Sequence, residues 1–193
     1  MDFPPPPRAD ETAAGQTCHI ENPVLLHPPI HGVDVAYYDG TPTPNILLAA
    51  NAAIALVDTV DDLADNGATR VFHIGTYNCR VIAGTSTLSR HAYGDAIDIY
   101  GVSVGGVTYT LVDDWVHTGD IDDAPPAGTG GRYLYDAAHR WHDDRIWNII
   151  LTPEYNSAHD NHFHIDMTPG SNSIWSLLGV APLYYIGPAD YTD

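Results

Sequence analysis

The run AHDNHFHID, residues 158 to 166, holds His159, His162 and His164 within six positions. Imidazoles so spaced can ligate a metal ion, or take and return a proton near neutral pH. The plainer alternative is a strand that happens to be rich in histidine. Read as a strand, HFHIDM turns His162, His164 and Asp166 to one face and Phe163, Ile165 and Met167 to the other. The second face is apolar and suits a core, whereas the first is too polar to bury without a partner. Histidines at i and i+2 stand about 7 Å apart at their Cα atoms, so both rings can reach one centre. His-x-His alone is weak evidence for a metal.

A second stretch strengthens the case. SRHAYGDAID, residues 89 to 98, sets His91 seven residues before Asp98 with Gly94 between them. A turn through Gly94 lets His91 fold back, while Ala96 and Asp98 share one side of the strand that follows. Small Ala96 leaves room beside a metal. With one of the downstream histidines the set becomes two imidazoles and a carboxylate. Three ligands with a fourth position open is the arrangement of catalytic rather than structural zinc. Each residue also has a simpler fate: Asp98 paired with an arginine near a turn, His91 a satisfied, partly buried ring.

These residues need elements to position them, and composition bounds what those are. A chain of 193 residues, 44% hydrophobic, suits one well-buried domain and is short for two. No run approaches the roughly 18 apolar residues that span a bilayer. The most apolar helical candidate, Ile46 to Val60, is broken by Asn51 and Asp58, so no membrane insertion is expected. Acidic residues number 25 against seven arginines and no lysine, a formal net charge of -18. Such a surface repels phosphate backbones and anionic headgroups, which argues against nucleic-acid or membrane-surface partners. Cys18 and Cys79 form no CxxC pair. They would stay reduced in the cytosol, but the expectation is one disulfide in an exported chain. It would close a loop worth roughly 4 kcal/mol on the chain-entropy account.

Residues 1–17, MDFPPPPRADETAAGQT, read as an extended Pro-rich tether without a basic, apolar, small-residue export pattern. The domain is expected over 18–193. NPVLL and VDVAYY read as short β segments. A first helix is expected from a Thr43 cap and Pro44 to Asn66-Gly67. Its inner stripe would be Ile46, Ala50, Ala53, Val57, Val60 and Ala64, with Asp58, Asp61, Asp62 and Asp65 on a solvated face. TRVFHIGTY reads as a strand, and DAIDIYGV and VTYTLV as a hairpin through Gly105-Gly106. Residues 117–131 form a long acidic loop, and RYLYDAAHRWHDDRIW a second helix burying Leu134, Ala137, Ala138 and Trp141. The pattern predicts one α+β domain with a small antiparallel sheet flanked by helices. His139 and His142 read as a helix surface, His73 as core or pocket wall, and Trp141, Trp147 and Tyr155 as core, with Tyr155 near enough in sequence to help line a cleft.

SRHAYGDAID resembles the S-x-H-x-x-G-x-A-x-D signature of the D-Ala-D-Ala and hedgehog-type zinc peptidases at Ser89, His91, Gly94, Ala96 and Asp98. HDNHFH is similar to that group's second signature, H-x-x-H-x-H, at His159, His162 and His164. CHIENPV, GTYNCR, LSRHAYGDAIDI and LTPEYNSAHDNHFHIDM narrow the resemblance to the bacterial extensin-like family, over about Cys18 to Gly170. The resemblance implies a hedgehog/DD-peptidase-like fold with His91, Asp98 and His164 as Zn2+ ligands. His162 would hydrogen-bond the attacking water or the oxyanion, and His159 would be the base. His159 stands where many members carry glutamate, though the histidine version occurs among cell-wall endopeptidases. Arg80 would bind a substrate carboxylate through its planar fork.

The implied function is a zinc peptidase acting on peptidoglycan stem peptides or cross-links, as a D,D-carboxypeptidase or an endopeptidase, in the periplasm or outside the cell. Two alternatives stand beside it: a zinc-containing wall-binding module that has lost catalysis, and an amidase or peptidase with another substrate. Retention of His159 and His162 speaks against the first, because a purely structural site does not need them.

Overall fold

The computed structural model describes residues 1–5, 8–119 and 122–175. The expected end of the domain at residue 193, and Asp120 and Ile121 of the acidic loop, lie outside these residues. In chain order the strands are β1 (Glu11–Ala13), β2 (Gln16–Cys18), β3 (Pro23–Leu26), β4 (Asp34–Tyr37) and β5 (Ile46–Ala49). Helix α1 (Ala50–Asp65) follows, then β6 (Ala68–Gly75), a 3-10 turn (Arg90–Tyr93), β7 (Ala96–Val104) and β8 (Val107–Thr110). Helix α2 (Gly130–Asp143) precedes β9 (Ile149–Leu151), β10 (Phe163–Asp166) and β11 (Ser173–Trp175).

Seven strands form the main sheet in the order β11-β9-β10-β7-β6-β4, with β8 also on β7. The α+β class holds, but the sheet is neither small nor wholly antiparallel: β4 runs parallel to β6, and β11 parallel to β9. The chain between β4 and β6 passes through β5 and α1. A crossover of that kind returns the chain beside β4 in the same direction, which no tight turn could do. The hairpin forms as expected, Val104 opposite Val107 across Gly105 and Gly106 at φ 58° and 84°. Two left-handed residues in succession give a turn whose twist matches the strands.

The first helix starts later than its apolar run suggests. Ile46–Ala49 are all buried and pair antiparallel with β3 instead. A continuous apolar run fits a buried strand as well as a helix, and periodicity cannot separate them. Thr43 caps nothing; its hydroxyl meets His73 Nε2 at 2.7 Å. The buried stripe of α1 is Ala52, Ala53, Ala55, Leu56, Thr59, Val60 and Leu63; it shares Ala53 and Val60 with the predicted stripe, whose Ala50, Val57 and Ala64 pack half-buried along its edge. Its end at Asn66-Gly67 is as expected.

Asp62 belongs to no solvated face. Its carboxylate accepts both Arg140 Nε (2.7 Å) and Nη2 (3.0 Å) and also Trp141 Nε1 (2.9 Å), bolting α1 to α2. Helix α2 is capped by Thr129 Oγ1, 3.1 Å from Arg132 N, and buries Leu134, Ala137, Ala138 and Trp141. Against the helices the sheet presents Val71, Ile97, Ile99, Phe163 and Ile165. Phe163 stands edge-on to Trp115 and Trp141, ring centroids at 5.3 and 6.0 Å, a favoured aromatic geometry. Its neighbours in β10 therefore point away from the core, which is where the site lies.

Within the Pro-rich start, β1 and β2 pair as a hairpin, and Cys18 at its end is bonded to Cys79. No helix among the described residues is long and apolar enough to cross a membrane.

Candidate metal centre

Ser89 opens the 3-10 turn and its Oγ accepts from His91 N at 3.4 Å. Gly94 closes the turn at φ 68°, a conformation that glycine reaches without the Cβ penalty. This fold-back delivers the buried ring of His91 to the outer face of β7. There Asp98 is the direct antiparallel partner of His164 in β10. Three atoms meet: His91 Nε2 lies 3.1 Å from Asp98 Oδ1 and 3.2 Å from His164 Nδ1, and the last two are 3.0 Å apart. Four tetrahedral ligands on bonds of about 2.0 Å to zinc stand roughly 3.3 Å from one another. The triangle has the dimensions of one face of such a site.

The outer nitrogen of each ring is held. His91 Nδ1–H donates to Thr76 O at 2.5 Å, and His164 Nε2–H donates to Asp166 Oδ2 at 3.1 Å. Asp166 is itself fixed by Thr168 N, 2.7 Å from Oδ1. Such outer bonds set the tautomer of ligating histidines and raise their basicity. They leave the inner nitrogens as lone pairs facing a carboxylate, an arrangement that calls for a cation. A proton on His164 Nδ1 answers the same need: burial disfavours it, yet the bonds to Asp166 and Asp98 push its pKa up to about 10. Burial likewise raises Asp98, but the charge of His91 and the bond from His164 outweigh it and hold the carboxyl well below the usual range.

His162 lies one residue before β10, short of the strand reading that took it in. Its Nε2 is 3.5 Å from Asp98 Oδ1, and Nδ1–H donates to Asn161 Oδ1 at 2.7 Å. His159 is buried, donates Nδ1–H to Asn156 Oδ1 at 2.7 Å, and has ring centroids of His162 and His164 at 5.2 and 5.8 Å. Burial, with the charges of His164 and His162, pushes its pKa down to about 3. Burial also lowers that of His162. Both are therefore neutral at pH 7 and able to accept a proton, although His159 is a weaker base than an exposed imidazole. Arg80, Leu151 and Ala158 join these histidines around a cavity of about 180 Å³ over the triangle. Arg80 is exposed and makes no ion pair among the described residues, despite the acidic surface.

The other histidines stand apart. His73 is 1% exposed, its Nδ1 without a hydrogen-bond partner among the described residues, and burial pushes its pKa down to about 4, which Asp98 only partly offsets. His139 donates to Tyr135 O at 2.9 Å, and His142 contacts Asp143 at 3.0 Å, both on α2. Of the two readings of Tyr155, core or cleft lining, the second fits: its ring stands edge-on to His159 at 5.4 Å. Three supporting features carry no motif of their own. Asp166 was legible only as the next polar position after His164, and the Thr76 carbonyl carries no side-chain signal at all. The third is the half-buried ion pair of Arg90 with Asp95, which ties the 3-10 turn to the start of β7.

Fold and site together define an α+β domain with a preformed two-histidine, one-aspartate cluster at the floor of a cleft. The chain belongs to the family described as Extensin-like protein C-terminus, whose model matches residues 6–175. That span contains every residue of the cluster and begins inside the Pro-rich start. Comparison with curated proteins and with solved structures found no match.

Proposed function

We propose that the protein is a zinc-dependent peptidase of the D-Ala-D-Ala and hedgehog type, hydrolysing an amide bond in peptidoglycan stem peptides or cross-links. The observation that carries the reading is the triangle of His91 Nε2, Asp98 Oδ1 and His164 Nδ1, backed by Thr76 O and Asp166. His91, Asp98 and His164 would hold a zinc ion, which would supply a Lewis acid and a water acidic near neutrality. His159, neutral and beside the cluster, would accept a proton from the attacking water and pass it to the leaving amine. His162, neutral and with Nδ1–H held by Asn161, would accept a hydrogen bond from the attacking water at Nε2 and so orient it. Arg80, exposed and without an ion pair among the described residues, would bind a substrate carboxylate. A purely structural zinc site has no use for two neutral histidines in an open cleft, which supports an enzyme over a binding module. The Cys18–Cys79 bond suits an oxidising compartment, in keeping with a periplasmic or extracellular site of action.

The test is mass spectrometry of purified muropeptides, pentapeptide monomers and cross-linked dimers, after incubation with zinc-loaded protein and with a chelated control. Loss of one alanine identifies a carboxypeptidase; conversion of dimers to monomers identifies an endopeptidase. No chelator-sensitive product from protein that holds zinc would refute the peptidase reading.

A further inference from the structure

We infer that the Cys18–Cys79 disulfide is a strap on the metal centre, so that metal affinity and the oxidation state of this pair are coupled. The inference rests on the reading of His91, Asp98 and His164 as metal ligands.

Residues 76–80 form the wall behind His91. Thr76 O holds His91 Nδ1 at 2.5 Å. Asn78 N donates to His91 O at 3.2 Å, and Ser89 N donates to Arg80 O at 3.0 Å. Cys79 sits between those last two anchors. The segment lies beyond the end of β6 at Gly75, so no strand ladder holds it. It packs instead in a small cluster separate from the main core, where Cys18, Leu88 and Ala92 are buried and Tyr77, Val81 and Tyr93 lean on them. Ala92 belongs to the same 3-10 turn as His91. Cys18 ends the β1–β2 hairpin, a sheet of its own outside the main one. The disulfide is therefore the covalent tie between the wall of the site and the N-terminal hairpin.

Reduction by a dithiol transfers two electrons and two protons. The Cys18–Cys79 bond breaks to two thiols, and the dithiol closes to its own disulfide. The wall is then held by a few backbone bonds, a small apolar cluster and the contact of exposed Arg8 with the Tyr77 ring at 4.6 Å, and the carbonyl that orients His91 gains freedom to drift. Loss of an outer partner of a ligating histidine weakens metal binding by about 10- to 100-fold. Linkage is reciprocal, so zinc must make the pair harder to reduce by the same factor.

Two measurements on the full chain test this. The first is zinc affinity by competition with a chromophoric chelator, for the native protein and for Cys18→Ser/Cys79→Ser, with circular dichroism reporting the fold. Serine adds no thiol ligand. The expected result is a folded variant that binds zinc about 10- to 100-fold more weakly. The second is the thiol–disulfide equilibrium of the native protein in a dithiol buffer, at negligible and at saturating free zinc held by a metal buffer. The expected shift is the same factor, about 30 to 60 mV. A folded variant with native zinc affinity, or a reduction equilibrium indifferent to zinc, overturns the strap. If the variant does not fold, the second measurement decides. If the oxidised native protein binds no zinc, or binds it equally well after His164→Ala, the metal reading itself has failed, and the strap with it.

Discussion

Asp98 and His164 are direct cross-strand partners in β7 and β10, and His164 Nδ1 lies 3.0 Å from Asp98 Oδ1. The strand register thus brings together two of the three proposed ligands. Phe163 and Ile165, on either side of His164, are fully buried. A slip of one residue would send His164 into the core and strand an isoleucine in the cleft. Burial of the opposite face therefore enforces the geometry of the cluster.

Asp166 should matter to the metal without touching it. Asp166→Asn keeps the shape but removes the charge opposite His164 Nε2, 3.1 Å away. Zinc affinity should fall about 10- to 100-fold, read by chelator competition. Unchanged affinity would mean that His164 needs no outer partner.

His159→Ala should separate binding from chemistry. Since its ring lies beside the triangle and not within it, zinc content should stay native. Turnover of a cleaved muropeptide should fall by about 10²- to 10⁴-fold, the usual worth of a general base. Loss of zinc from this variant would show that His159 is a ligand.

His73 gives the metal-free protein an acid-sensitive element away from the cluster. Its pKa is pushed from 6.5 down to about 4, first by burial, with Asp98 partly opposing. The unfolded chain binds the proton more readily, so the stability due to the buried neutral ring is complete above pH 6.5. It drains as pH falls from 6.5 through 4, by roughly 3 kcal/mol. In urea melts of zinc-free protein, His73→Gln should flatten the pH slope in that window relative to the native protein. Parallel slopes would show that His73 titrates normally.

Asp62 should behave as a buried anchor. Asp62→Ala leaves Arg140 and Trp141 Nε1 without their shared acceptor. Because Arg140 is about a third exposed, the cost is discounted to roughly 2–3 kcal/mol. A lowered urea midpoint with unchanged slope checks it. A shift under ~0.5 kcal/mol would place Asp62 back on an ordinary surface.

Legibility in the sequence followed locality. The β7–β8 hairpin, α2 and β10 declare themselves through Gly-Gly, a three- and four-residue apolar stripe, and strict alternation, each read within one short window. The start of α1 did not, because Ile46–Ala49 is apolar on every side and its strand partner lies over twenty residues upstream. The mixed sheet was equally hidden: parallel pairing of β4 with β6 depends on where a crossover returns, which no window contains. In the site, spacing points to His91, Asp98 and one of the downstream histidines, the family resemblance singles out His164, and their meeting depends on a register only the folded sheet specifies. Thr76 acts through its backbone oxygen and left no trace in residue type. The disulfide was suggested by the count and setting of two cysteines, but its place behind His91 was not.

The central claim is a metal ion held by three named side chains. Native mass spectrometry at a fixed, buffered free zinc concentration tests it most directly, on the native protein and on His91→Ala, His164→Ala and His159→Ala. The account predicts one zinc in the native protein and in His159→Ala, and none in the other two. Zinc retained after loss of either His91 or His164, or no zinc in the native protein at all, would contradict it.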